Sequence, residues 1–311
     1  MPLEPESAQF VEALAAEGDP PLHESTPAIA RMGDMVAAGL TGRGPDVGSV
    51  TNLKLDGKNG RFRVRILAPA EPSRGVLVYF HGGGWVLGDI DLQYDFVGRD
   101  LVNRTQCTVV LVNYRKAPEH PFPTALEDSF AALAWVSENV HQQGPLIVAG
   151  DSAGGNIAAV MTRWARDKGG PAVDGQVLIY PVTDCDLDRP SYLDPANHLL
   201  IDRDAMRWFW NHYLPDEASR TDPDASPLRA ANLSGLPPAL VYTAQYDPLH
   251  DEGVAYADAL RAAGVEVTSE EATGEMHGFF QMANIFPGYA DGIAVVSRYL
   301  SAFVDGFERQ A

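Results

Sequence analysis

The apolar residues of the first forty positions recur at helical spacing, which predicts two helices. The two stripes are Phe10, Val11, Leu14 and Ala15, and then Ile29, Met32, Val36 and Leu40. Thr26 followed by Pro27 predicts the start of the second helix, because threonine caps a helix and proline suits its first position. Farther along, residues 61–66 alternate polar and apolar side chains, which predicts a strand with one solvated face. Its arginines are interpreted as that polar face and not as an anion site.

The rest of the chain alternates buried strands with helices. Residues 75–80 are continuously apolar, as expected of a strand that is covered on both faces. Further strands are predicted at 107–113, 146–149, 176–180, 239–243 and 265–270, and helices at 124–141, 153–168, 250–263 and 289–307. This repetition predicts the α/β class, with a doubly wound and mostly parallel sheet.

Residues 184–230 interrupt the alternation with five prolines and an aromatic cluster, Trp208, Phe209 and Trp210. We expect an insertion between two strands that packs with the N-terminal helices as a cap over one end of the sheet. The cluster suits core packing within that cap, and the alternative interpretation is a wall of a substrate pocket.

Composition narrows the possible partners. The chain has 311 residues, with 23 Lys and Arg against 42 Asp and Glu, so its formal net charge is −19. A charge of this sign disfavours nucleic acid and anionic membrane surfaces. The apolar runs are too short to span a bilayer, and the acidic, proline-containing start is unlike a secretory signal. Cys107 and Cys185 lack metal-ligand or CxxC spacing, which indicates a reducing cytoplasm.

One glycine-flanked serine stands where a nucleophile would. Gly150-Asp151-Ser152-Ala153-Gly154 is a G-x-S-x-G between a predicted strand and a predicted helix. That is the setting of a nucleophile elbow, in which the serine occupies a strained turn and glycines let neighbouring backbone pass close by. The alternative is a glycine-rich turn whose serine caps the helix.

A run of three glycines follows the strand at 75–80. His81-Gly82-Gly83-Gly84-Trp85 is costly in backbone entropy unless backbone N–H groups must approach a ligand oxygen. An acyl-transfer enzyme needs such donors for its oxyanion, and the N–H groups of Gly82, Gly83 and Ala153 would supply them. A phosphate site is disfavoured because neither GxGxxG nor GKS/T is present. We expect His81 to orient this loop.

A serine hydroxyl needs a base and a group that orients the base. Asp247 and His277 each follow a predicted strand, and ligands of doubly wound sheets bind at the carboxyl ends of the strands. The order serine, acid, histidine is the one expected for this kind of fold. Rival acids are Asp251, Glu252 and Glu275.

Five segments together resemble the hormone-sensitive-lipase-like family of α/β-hydrolases, and more closely its bacterial GDSAG-type carboxylesterases. They are HGGGW, NYRKAPEHPFP at 113–123, GDSAGGN, YDPLHDEG and HGF. The resemblance implies an eight-stranded sheet with a helical cap, and hydrolysis of short- to medium-chain acyl esters without a cofactor or metal. By motif position it implies Ser152 as nucleophile, Asp247 as acid, His277 as base, and Gly82, Gly83 and Ala153 as oxyanion hole.

The chain departs from the family pattern at three positions near these motifs. Lys116 stands where leucine is common, Gln245 where glutamate is common and His250 where arginine is common. None of the three belongs to the expected triad, but Gln245 and His250 flank Asp247 and can alter its electrostatics.

The sequence therefore predicts a cytoplasmic serine carboxylesterase whose partner is a small ester substrate. The expected divisions are N-terminal cap helices at 1–48, a catalytic core at 49–184 and 231–311, and a cap insertion at 185–230. Trp85, Trp208 and Phe209 are the expected pocket residues. The alternatives are an amidase, lactonase or aryl-formamidase with the same triad, and a non-catalytic ligand receptor, as in the plant gibberellin receptors that resemble this family. Because related esterases often pair through an edge strand, the resemblance also allows a homodimer.

Overall fold

The computed structural model describes residues 1–91 and 93–307, apart from the side chain of Ala37. Leu92 and residues 308–311, which the predicted core ranges include, lie outside the described residues. The strands are β1 (Ser49–Gly57), β2 (Gly60–Ala68), β3 (Val76–Phe80), β4 (Thr108–Asn113), β5 (Leu146–Asp151), β6 (Gly175–Ile179), β7 (Ala239–Tyr246) and β8 (Val267–Met276). The α-helices are α1 (Pro5–Glu17), α2 (Pro27–Thr41), α3 (Gln93–Thr105), α4 (Thr124–Asn139), α5 (Ala153–Asp167), α6 (Pro190–Leu193), α7 (Arg203–Tyr213), α8 (His250–Ala262) and α9 (Gly288–Gly306).

The strands form one eight-stranded sheet in the order β1-β2-β4-β3-β5-β6-β7-β8. β1 and β2 are antiparallel to their neighbours, and the pairs from β4 to β8 are parallel. The predicted α/β class and mostly parallel sheet are confirmed. Every residue of β3, β4, β5 and β6 is buried, as their continuous apolar sequences require.

Helices cover both faces of the sheet, so the core has two layers. One layer packs α4, α5 and α8 against the sheet, and the other packs α3 and α9. The carboxyl ends of the parallel strands all open on one edge, and the loops after β3, β5, β7 and β8 carry the predicted chemistry there. In the described part of the chain, no helix has the length and apolar character that a membrane span needs.

Three elements differ from their predictions. The pattern does not predict β1 or α3, and β8 ends at Met276, six residues beyond the predicted end. β1 and the first half of β8 lie at the two edges of the sheet with most side chains exposed, so they carry little apolar alternation. In α3 the buried Tyr94, Val97 and Leu101 have helical spacing within an otherwise polar sequence.

The second N-terminal helix, α2, and the 185–230 segment meet over the loop that follows β3, whereas α1 packs beside the end of β8. Trp208 of α7 donates from Nε1 to the carbonyl oxygen of Ser25, at 3.0 Å. Arg31 of α2 donates to the carbonyl oxygens of Val86 and Ala117, at 2.9 and 2.8 Å. Both segments are therefore tied to the same edge of the sheet. Most of the large apolar side chains of α2 remain exposed: Ile29, Met32, Met35, Val36 and Leu40.

Candidate active site

Ser152 occupies a strained turn between β5 and α5. Its backbone φ of 54° and ψ of −121° lie in a region that L-residues rarely adopt. The turn needs glycine at position 154, because a Cβ there would collide with the carbonyl oxygen of Phe80. Gly150 faces the backbone of Gly154 in the same way. The two glycines of the motif are thus required by close backbone contact, and the serine between them lies at the carboxyl end of the sheet.

His277 and Asp247 lie beside this serine. The Nε2 atom of His277 is 3.0 Å from Ser152 Oγ, and its Nδ1 atom is 2.8 Å from Asp247 Oδ2. Asp247 is fully buried, and its second oxygen accepts from the N–H of Leu249 at 2.8 Å. Because the carboxylate holds a proton on Nδ1, the lone pair of Nε2 faces the serine hydroxyl.

The extra length of β8 explains why the histidine reaches Asp247. β7 ends at Tyr246 and β8 ends at Met276, and these two residues pair in the sheet. The next residues, Asp247 and His277, therefore leave neighbouring strands side by side. Exposure of only 7% for Ser152 and 8% for His277 keeps the three side chains largely out of water.

The three rival acids have other partners. Asp251 accepts from the backbone N–H of Ser191 at 2.9 Å. Glu252 accepts from the N–H of Thr183 at 2.7 Å, and burial raises its pKa well above the usual range. Glu275 accepts from the Ser7 hydroxyl at 3.2 Å. Among the described residues, the carboxylate that contacts His277 is that of Asp247.

The glycine loop needs a correction to the predicted oxyanion donors. The N–H of Gly82 donates to the Tyr94 hydroxyl at 2.9 Å and to Asp151 Oδ1 at 3.0 Å. This N–H group already has two acceptors, so it is not free to donate to an oxyanion as predicted. Within residues 1–91 and 93–307, the N–H groups of Gly83, Gly84 and Ala153 donate to no other group. Gly83 and Gly84 both have positive φ, and Gly84 is not among the predicted donors.

Asp151 joins the glycine loop to the serine turn. Besides the N–H of Gly82, its carboxylate accepts hydrogen bonds from the hydroxyls of Tyr79 and Tyr94, each at 3.0 Å. Burial raises the pKa of Asp151 to about 6, and its hydrogen bonds oppose that rise. The Tyr94 hydroxyl also contacts Gln281 Oε1 at 2.6 Å. Asp151 had no role in the sequence analysis beyond its place in the motif.

The side chain of His81 is held by packing and hydrogen bonds at the start of the glycine loop, where we expected it to orient the loop. Its ring stacks on Tyr114 with 4.3 Å between centroids, and the Tyr114 hydroxyl donates to its carbonyl oxygen at 2.7 Å. Burial lowers the pKa of His81 to about 3, with a further lowering from Lys116, so the ring is neutral. Its Nδ1–H donates to the carbonyl oxygen of Gly82 at 2.7 Å, which fixes the start of the glycine loop.

The three predicted pocket residues lie at different depths. Phe209 packs directly on Gly84, where a Cβ would collide with its ring. Trp208 lies beside it, with 5.2 Å between ring centroids. Trp85 is fully buried and stacks on Tyr213 with 4.1 Å between centroids. Trp85 therefore packs the base of this region and exposes no surface to a substrate.

Comparison with known proteins supports the same chemistry. Residues 77–281 match a protein family described as having the alpha/beta hydrolase fold. The chain belongs to the hormone-sensitive-lipase-like α/β-hydrolases. Within this family it is similar to the carboxylesterase NlhH of Mycobacterium tuberculosis, with 45% identity over 238 residues, 73% of this chain and 74% of that protein.

Two further relatives cover nearly the whole chain. Ethyl acetate hydrolase of Pseudomonas putida is 34% identical over 313 residues, covering 95% of this chain and 98% of that protein. The crystal structure of a thermostable esterase from Pseudomonas putida ECU1011 aligns with a TM-score of 0.90 at 35% identity, covering 99% of both chains. The chain described here, like these relatives, is therefore a carboxylic ester hydrolase.

Proposed function

We propose that the protein is a serine carboxylesterase for short- to medium-chain acyl esters, with Ser152 as nucleophile, His277 as base and Asp247 as the acid that orients the base. The observation that carries this proposal is the unbroken chain of contacts from Ser152 Oγ to His277 at 3.0 Å and on to Asp247 at 2.8 Å. A ligand receptor of the same fold would not need this alignment.

In the first half of the reaction, Ser152 Oγ attacks the ester carbonyl carbon and its proton passes to His277 Nε2. The carbonyl oxygen gains the negative charge. The N–H groups of Gly83, Gly84 and Ala153 stabilise it, because they have no other acceptor among the described residues. Asp247 stabilises the imidazolium. The tetrahedral intermediate then collapses, and His277 returns the proton to the alkoxide, which leaves as an alcohol.

In the second half, His277 removes a proton from water as the oxygen attacks the acyl carbon. A second tetrahedral intermediate forms on the same N–H donors. Its collapse breaks the bond to Ser152 Oγ, and His277 returns the proton to that oxygen. The carboxylic acid leaves and the enzyme is restored.

The preference for short and medium acyl chains rests on the aromatic side chains near the glycine loop. Phe209 packs on Gly84 and Trp208 lies next to it, so the space beside the proposed oxyanion donors is limited. We assign the pocket to Phe209 and Trp208 and leave Trp85 out, since it has no exposed surface. The name of the relative that hydrolyses ethyl acetate also favours small esters.

We also propose how the chain is divided: residues 1–48 and 185–230 belong to the cap, and 49–91, 93–184 and 231–307 belong to the catalytic core. The free thiols of Cys107 and Cys185 favour a cytoplasmic location, and the charge of −19 disfavours nucleic-acid partners. β8 lies at an edge of the sheet, where a second copy can pair to form a homodimer, and light scattering measures that assembly.

A chain-length series of p-nitrophenyl esters, run beside matching anilides, tests the proposal. We expect turnover of the acetate to hexanoate esters and little turnover of the anilides. Ser152→Ala should lower kcat/KM at least about 1,000-fold and abolish labelling by a fluorophosphonate. Ser297→Ala, another buried serine, is the matched control and should retain the activity. Retained activity in Ser152→Ala contradicts the nucleophile, and faster anilide turnover favours an amidase.

A further inference from the structure

A cavity opens on the same edge of the sheet as Ser152 and is lined by none of the proposed catalytic residues. It has a volume of about 450 Å³. It lies between α2, the start of β2, the Gly88–Asp89 turn and the segment 113–120 that follows β4. This volume is within the range of small-molecule sites.

The cavity is cationic in a chain that is strongly acidic. Five of its lining residues are Lys or Arg and three are Asp or Glu. Each arginine already pairs with a carboxylate: Arg31 with Glu119, Arg61 with Asp56, Arg63 with Asp89, and Arg115 with Asp128. Lys116 is different, because no carboxylate of the described residues lies within 4 Å of its ammonium group, which donates to Asn113 Oδ1.

The carboxylates that line the cavity are engaged elsewhere. Asp34 accepts from the N–H of Gly88 at 3.0 Å and from Gln93 Nε2 at 3.3 Å. Asp89 accepts from Arg63 at 2.9 Å and from Asn113 Nδ2 at 3.0 Å. Lys116 is thus a cation in the cavity wall that forms no ion pair of its own, although Asp89 and Asp34 are near enough to attract it.

Apolar side chains form the rest of the wall. Met35 of α2, Phe62 of β2 and Tyr114 all line the cavity, with Phe62 and Tyr114 buried behind its surface. Met35 is largely exposed, so a hydrocarbon group seated against it would remove apolar surface from water. The cavity therefore combines one available positive charge with an apolar surface.

We propose that this cavity is a binding site for a small amphipathic carboxylate. The carboxylate accepts hydrogen bonds from the Lys116 ammonium, and its alkyl or aryl body packs against Met35, the exposed apolar side chain of the wall. A neutral alcohol of the same size lacks the ionic contact, and inorganic phosphate lacks the apolar contact. The site is separate from the proposed catalytic residues, so it does not depend on their roles.

The charge of Lys116 should make binding depend on pH. Burial lowers the pKa of Lys116 to about 8, Arg31 and Arg63 lower it further, and Asp89 and Asp34 oppose the fall. The anion binds the protonated amine, so affinity should fall as pH rises above 8. The other titratable or charged groups close to Lys116 or lining the cavity are His81, Glu119, His120, Tyr114, Arg61 and Arg115.

Calorimetric titration with hexanoate tests the proposal on protein whose Ser152 is blocked by a fluorophosphonate. We expect hexanoate to bind the blocked protein at pH 7, and hexanol and inorganic phosphate to bind at least ten-fold more weakly. Lys116→Leu should weaken hexanoate at least ten-fold, whereas Lys58→Leu, an exposed lysine paired with Glu127, should not. Wild-type affinity should also fall at least ten-fold between pH 7 and pH 10.

Equal binding by Lys116→Leu, by hexanol or by phosphate overturns the proposal, as does loss of binding on labelling, which would place hexanoate in the active site. If Lys116→Leu fails to fold, the ligand comparison and the pH series on the wild type still decide. Failure of Ser152 to react with the fluorophosphonate would instead count against the proposed nucleophile. In that case the titrations are run on the unlabelled protein.

Discussion

Replacing Asp151 tests how the serine turn and the glycine loop are held together. Its carboxylate accepts three hydrogen bonds in the interior, from Gly82, Tyr79 and Tyr94. Asparagine has the same shape and keeps one oxygen for Gly82 and Tyr79, which both bond Oδ1. Its amide can donate to the Tyr94 hydroxyl, which in turn has Gln281 Oε1 as an acceptor. We therefore expect Asp151→Asn to change the free energy of unfolding by less than about 1 kcal/mol at pH 6.

Asp151→Ala removes every acceptor at once. The N–H of Gly82 keeps the Tyr94 hydroxyl, and Tyr94 keeps Gln281, but the Tyr79 hydroxyl is left buried without a partner. An orphaned buried hydroxyl costs about 1–3 kcal/mol, and the space left by the carboxylate adds to this. We expect a total loss of about 3 kcal/mol, with a larger fall in kcat/KM than in the asparagine variant.

The pH dependence of the free energy of unfolding shows whether the ionisation of Asp151 stabilises or destabilises the fold. The pKa of Asp151 rises from 3.8 to about 6 on folding, so the folded state holds the proton more tightly than the unfolded state. The stability that this proton provides is complete below pH 3.8 and is lost as pH rises through 6, by about 3 kcal/mol in all. About 1 kcal/mol of that loss is left to occur as the pH rises from 5 to 8.

Urea unfolding followed by tryptophan fluorescence at pH 5, 6, 7 and 8 measures these effects. From pH 5 to pH 8 the wild type should lose about 1 kcal/mol relative to Asp151→Asn, which has no such titration. Asp46→Asn, an exposed carboxylate, should follow the wild type. A constant difference between the wild type and Asp151→Asn, or an alanine variant as stable as the asparagine variant, would refute the reasoning.

Three further outcomes follow from the same contacts. Gly154→Ala should abolish both activity and cooperative unfolding, because its Cβ meets backbone, whereas Gly33→Ala meets nothing within 4 Å and should raise the free energy of unfolding by about 1 kcal/mol in urea melts. Glu275→Gln should lose less stability than the wild type between pH 5 and pH 8, because burial raises the pKa of Glu275 to about 7 and its ionisation destabilises the fold. Phe209→Ala should move the maximum of kcat/KM toward longer acyl chains in the p-nitrophenyl series, since it removes the ring packed beside the glycine loop.

The sequence pattern was sufficient for the interior of the sheet and insufficient at its edges. Strands such as β3 and β5 are buried on both faces, so their side chains are apolar at every position. β1 and the first half of β8 pair through backbone bonds while most of their side chains meet water. A side-chain pattern carries little information there. The residues missed at the end of β8, 271–276, are partly buried, but they include Glu271, Gly274 and Glu275, which are residue types that strands disfavour.

The oxyanion donors show a second limit of sequence reasoning. A run of three glycines identifies a loop whose backbone approaches a ligand, but it does not say which N–H groups remain free. Tyr94 and Asp151 determine this, because both accept a hydrogen bond from the N–H of Gly82. Tyr94 lies on α3, the helix that the pattern did not predict. The error at Gly82 therefore has in part the same origin as the missed helix, because Tyr94, one of the two partners of this N–H, comes from a segment with a weak pattern.

Asp151 also explains how the three loops act as one site. It precedes Ser152, holds the start of the glycine loop through Gly82, and lies close enough to His277 for their charges to interact. Burying a carboxylate costs free energy, which its raised pKa records. In exchange, the hydrogen bonds of Asp151 fix the distance between the serine oxygen and the N–H groups of Gly83 and Gly84. A loop of three glycines cannot maintain that distance by itself. On this view the rigidity of the proposed oxyanion hole comes from the residue before the nucleophile.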